Sequence, residues 1–69
     1  MTTSPAAIAR DEALQNSITV NVMAIGDAVN QLMATRKIKS TAVSALIQQA
    51  QTGIIAGVAL LMNVPRKDA

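Results

Sequence analysis

The stretch Leu14-Gln15-Asn16-Ser17-Ile18-Thr19-Val20-Asn21-Val22-Met23-Ala24-Ile25-Gly26-Asp27-Ala28-Val29-Asn30-Gln31-Leu32 decides the fold class. Its apolar side chains recur as Leu14, Ile18, Val22, Ile25, Val29 and Leu32, in steps of 4, 4, 3, 4 and 3. That is the period of a helix, and its later part is a coiled-coil-like seam. A strand would alternate every second residue, and only Ile18 to Val22 does so, over too short a run. Gly26 inside this helix costs about 1 kcal/mol relative to Ala, and a glycine there also permits close approach of another backbone.

Upstream, Ser4-Pro5 is a helix start: Ser caps the exposed N–H groups and Pro is tolerated in the first turn. Asp11 and Glu12 lie in the early turns, a favourable place near the positive helix end. Downstream, Thr35 to Thr41 is the only plausible break before Gly53. Arg36, Lys37 and Lys39 suit the C-terminal end of a first helix, and Ser40 or Thr41 can cap a second. The second helix then runs from about Thr41 to Asn63 on a seam of Val43, Ile47, Ala50, Ile54, Gly57 and Leu61, until Pro65 stops it. The expectation is an all-α chain, one assembly subunit over residues 1–69. It is a hairpin of two long antiparallel helices (about 5–35 and 41–63, turn about 36–40) that polymerises side by side with other subunits. Because the turn contains neither Gly nor Pro, one continuous long helix is the alternative.

A chain of 69 residues is one domain at most, and ordering it costs on the order of 100 kcal/mol at roughly 1.5 kcal/mol per residue. The core that must offset this is thin, because Phe, Tyr and Trp are absent and aromatics hide the most apolar area. Chains this small usually need disulfides, a metal or partners. With no Cys and no His, disulfides and the usual soft or imidazole metal sites are ruled out, which leaves partners. The second helix agrees: Leu46, Ile47, Ile54, Ile55, Val58, Leu60, Leu61 and Met62 cover well over half its circumference, more than one partner helix can bury. The assembly interface expected from these patterns comprises Ile18, Val22, Ile25, Gly26, Val29 and Leu32 on the first helix. On the second it comprises Ile47, Gly53, Ile54, Gly57, Val58 and Leu61. Gly53 and Gly57, four residues apart, would let helix backbones approach closely.

The polar residues are few. Asp27 is the only acid between Glu12 and Asp68 and groups on a helical wheel with Val20, Ala24, Asn30, Gln31 and Ala34. Read alone this is a solvated side. If neighbours pack on it, desolvation would favour the neutral carboxyl and make Asp27 the acid-sensing group of a chain without His. Gln48, Gln49 and Gln51 would either hydrogen-bond between subunits or form an exposed polar surface. The net charge of +2 exerts no strong pull toward nucleic acid. The basic cluster Arg36, Lys37 and Lys39 has no aromatic neighbour to stack a base. There is no His base, no Cys nucleophile, no phosphate-binding loop and no dinucleotide fingerprint, so no enzyme activity and no cofactor are expected. A membrane span is not expected either. Ser40 to Pro65 is uncharged and long enough, but Ser44, Gln48, Gln49, Gln51 and Thr52 interrupt it. Met1 to Arg10 lacks the apolar region of a signal peptide.

The stretch from Leu14 to Ala28 resembles the N-terminal part of the Reb proteins, structural subunits of the R-bodies coiled inside certain bacteria. The family pattern of an Asn-Val pair, three residues, then Gly and a small residue is matched by Asn21-Val22 and Gly26, with Asp27-Ala28 following. The Gln-rich middle is matched by Gln48-Gln49-Ala50-Gln51, and the apolar end by Gly57-Val58-Ala59-Leu60-Leu61. The resemblance implies a homopolymer of helical subunits, with related chains as co-subunits, forming a coiled ribbon as an inclusion in the bacterial cytoplasm. It further implies extension in mild acid and an indirect, disruptive action on membranes that serves a killing trait.

Two other functions fit the residues. A small cationic membrane-active peptide of bacteriocin type would suit the sequence pI of about 9.7 and the Gly53–Gly57 spacing. A helical adaptor would set its apolar surface into the groove of a larger protein.

Overall fold

The computed structural model describes residues 4–67. Helix α1 spans Pro5–Thr35 and helix α2 spans Thr41–Met62. Each begins on a serine whose hydroxyl accepts a backbone N–H of the first turn: Ser4 from Ala7 at 3.1 Å and Ser40 from Val43 at 3.2 Å. Pro5 follows Ser4 at the position where its missing N–H removes nothing from the helical ladder. The two helices fold back on each other as a hairpin, so the continuous-helix alternative does not hold.

The turn is made without glycine. Lys37 takes a positive φ of 54°, the left-handed conformation in which the Cβ of an L-residue crowds its carbonyl. Around it, the Lys37 N–H donates to the Ala34 carbonyl at 3.1 Å and the Ile38 N–H to the Met33 carbonyl at 2.9 Å. These are the two bonds of a Schellman ending, which satisfies the orphan carbonyls of α1. Met33 and Ile38, the two positions whose apolar side chains often meet at this ending, line one cleft beside the turn. At the other terminus α2 stops at Met62, one residue before the expected Asn63, where Pro65 forces the preceding residue out of helical geometry.

The hairpin is a plate one helix layer thick, with Cα extents of 56 × 17 × 10 Å. Among the described residues, Val22 at 6% exposure is the sole buried hydrophobic side chain. Domains are ordinarily built from two packed layers around one core; this chain supplies one layer.

Candidate assembly surface

The surface left for partners is defined by what the seam between the helices consumes. On α1 the seam side carries Ile18, Val22, Gly26, Val29 and Met33, and on α2 it carries Ile47, Gln51, Ile55 and Val58, all buried or half-buried. At mid-length the Gln51 side chain lies across Gly26. Its Nε2 donates to the Val22 carbonyl at 2.8 Å, using the lone pair left over from the helical bond to the Gly26 N–H. A Cβ at position 26 would overlap that amide. Gly26 therefore does permit a close approach, by a side-chain amide rather than by another backbone. Gln51 is satisfied within its own hairpin, while Gln48 and Gln49 are exposed.

This contact corrects the seams expected from periodicity. Ile25 (59% exposed) and Leu32 on α1, and Val43, Ile54 and Leu61 (66% exposed) on α2, lie off the seam and face solvent. At 100° per residue, α1 is turned by roughly 45° and α2 by roughly 75° from the expected orientation. The physical reason is that the amide of Gln51 needs a backbone carbonyl and finds one only over a residue without a side chain. Gly26 and Gln51 stand almost equally far from Ile38 in the turn, a spacing by which the expected hairpin already places them opposite each other.

The displaced side chains share one broad face. Leu14, Ile25 and Leu32 fall on one flank of α1; Leu46, Ile54 and Leu61 fall on the matching flank of α2, as helical spacing in an antiparallel pair requires. Leu14 and Leu61 line the same cleft. Gly57 borders this flank and Gly53 points away from α1, each with nothing within 4 Å of where a Cβ would stand, so they make no close helix contact inside the hairpin. Of the residues expected at an assembly interface, Ile18, Val22, Gly26, Val29, Ile47 and Val58 face the partner helix of the same chain. Ile25, Leu32, Gly53, Ile54, Gly57 and Leu61 remain available on the outside.

The opposite face is polar. Asp27 is exposed there and shares a shallow cleft with Met23, Asn30, Ser44 and Gln48. Charges gather at the two ends of the plate. Arg36, Lys37 and Lys39 are exposed at the turn. At the open end Arg66 pairs with Asp11 across the hairpin. Among the described residues there is no cluster of acidic side chains able to hold a metal ion.

Helix α2 is also long and apolar enough, by length and composition, to cross a membrane. Ser44, Gln48, Gln49, Gln51 and Thr52 interrupt it without lowering its hydropathy below what a span needs. No family model matches the chain, and the searches of curated proteins and of solved structures give no match.

Proposed function

We propose that this chain is a structural subunit that self-assembles, alone or with related chains, into an R-body-like coiled ribbon that extends in mild acid and thereby disrupts membranes. The observation that carries the self-assembly is the outward placement of its large aliphatic side chains. Leu14, Ile25, Leu32, Leu46, Leu60 and Leu61 are each more than half exposed, and a patch of that extent on a soluble protein marks an interaction surface. The ribbon form and the acid response rest on the resemblance of Asn21-Val22, Gly26 and the Gln48–Gln51 segment to the Reb pattern. Imaging the chain by negative-stain electron microscopy at neutral and mildly acidic pH tests this reading. Ribbons coiled at one pH and extended at the other are expected, and dispersed small particles at both would overturn it. Asp27→Asn is expected to shift or abolish the extension; an unchanged transition pH removes Asp27 from the account.

The length and apolarity of α2 favour a second reading, a membrane-active peptide. Dye release from lipid vesicles by dispersed chains would support it, and intact vesicles would leave the ribbon reading ahead.

A further inference from the structure

We infer that the face carrying Leu14, Ile25, Leu32, Leu46, Ile54 and Leu61 is covered by the same face of a second copy, stacked antiparallel so that the turn of one hairpin lies over the open end of the other. The inference rests on the self-assembly reading and specifies its first contact. The argument for a second copy begins with area. The chain exposes 5636 Å², whereas a compact monomer of 7.2 kDa is expected to expose about 4,100 Å². The excess of about 1,500 Å² per chain is nearly twice the roughly 800 Å² that one partner contributes to a standard interface. One stacked face therefore leaves surface for a further, propagating contact. Stacking also supplies the missing second layer of a plate that has none.

Charge chooses the direction. Between Leu14 and Leu32 the face is uncharged, so a copy can lie on that stretch without burying an ion; Arg10 follows on the same flank only at the open end. If the copies ran parallel, the two sets of Arg36, Lys37 and Lys39 would meet. Antiparallel, they stand apart by the length of α1, whose 31 residues at about 1.5 Å each give roughly 45 Å, several times the Debye length of about 10 Å. The antiparallel register also has a shape consequence. A two-fold axis crossing α2 at its midpoint, between Gln51 and Thr52, sets Leu46 opposite Gly57 of the second copy and Ala50 opposite Gly53. Each larger side chain then stands level with a glycine that has open space around it.

The absence of Cys makes single-cysteine cross-linking of the full chain a direct test. Under mild oxidation, Ala50→Cys near the axis is expected to yield a covalent dimer. Gln48→Cys on the polar face should yield at least tenfold less. Leu32→Cys alone should stay uncross-linked yet couple to Leu14→Cys when the two variants are mixed. Self-coupling of Leu32→Cys would overturn the antiparallel order. Coupling of Gln48→Cys as strong as that of Ala50→Cys would overturn the choice of face. A wild-type chain that is monomeric by light scattering and partitions onto phosphatidylcholine vesicles would replace the second copy with a lipid surface. The same samples viewed by microscopy separate the two readings: the expected cross-links without ribbons keep the stacked pair and remove the ribbon, whereas ribbons with polar-face cross-links do the reverse.

Discussion

Along the inner seam the side chains that meet at mid-length are Val22, Gly26 and Gln51: one modest aliphatic, one absence and one amide. Along the outward face stand Leu14, Ile25, Leu32, Leu46, Ile54 and Leu61. The rest of the seam holds Ile18, Val29, Ile47, Ile55 and Val58, but every leucine of the two helices is exposed, whereas a self-sufficient hairpin would bury them too, at about 1.5–3 kcal/mol each. Here the seam is specific and weak, and the outer face is unspecific and strong. The seam's hydrogen bond sets which faces the helices turn to each other; the outer face holds most of the burial that remains to be gained. On the proposed self-assembly, a chain divided in this way would gain much of its stability when a neighbour arrives, coupling subunit folding to assembly.

The largest expected effect follows directly. Ile54→Lys puts a charge in the middle of the outward face while leaving the seam untouched. Losing that burial and desolvating an ammonium should raise the concentration needed for assembly at least about 100-fold, at about 1.4 kcal/mol per tenfold. Light scattering across a dilution series reads this. Assembly at the wild-type concentration would show that the face is not an interface and would erase the contrast between outside and seam.

A change inside the seam should cost less and act differently. Gly26→Ile expels the Gln51 amide and overfills the contact, an effect of about 2–3 kcal/mol on hairpin stability. Gly26→Ala gains about 1 kcal/mol of helix propensity and loses about as much when Gln51 swings out to solvent, so its net effect is near zero. Thermal unfolding of both, each with and without Gln51→Ala, gives the coupling. Independent effects at positions 26 and 51 would mean that the amide does not set the helix rotation.

Much of the fold was legible because its signals are local. Ser4-Pro5, Ser40 and Pro65 mark helix ends through the chemistry of their own backbone neighbourhood, and the structure places the ends there to within a residue. The turn was legible in outline, through Arg36, Lys37, Lys39 and Ser40, but not in detail. A lysine in the left-handed region gives no sequence sign, because the ending is made by carbonyls of Met33 and Ala34 that any residue supplies. The helix rotation was not legible at all. On α2 the apolar arc is too wide to name one seam, and the choice was made by a single contact between residues far apart in sequence. The outward surface inherits that problem: Ile25, Leu32, Ile54 and Leu61 could be listed as apolar, but whether they faced a sister helix or solvent depended on Gln51. Lys37→Gly tests the one strained position directly. It should stabilise the hairpin by about 1 kcal/mol by removing the Cβ from a left-handed residue, read as a rise in Tm. A fall in Tm would mean that the turn is not the Schellman ending described.

The smallest effect belongs to the open end, where Asp11 and Arg66 hold the tail of α2 against α1. Both side chains are partly exposed, 33% and 24% respectively, so solvent and salt screen the pair, and an exposed pair of this kind contributes about 0.2–1 kcal/mol. Asp11→Asn keeps the shape and removes the charge. It should lower hairpin stability by no more than about 1 kcal/mol at low ionic strength and by less at 1 M salt, where the Debye length falls to about 3 Å. If the loss instead matches that of Gly26→Ile, the open end rather than the mid-length seam orders the hairpin, and the contrast between seam and outer face has been drawn at the wrong place along the plate.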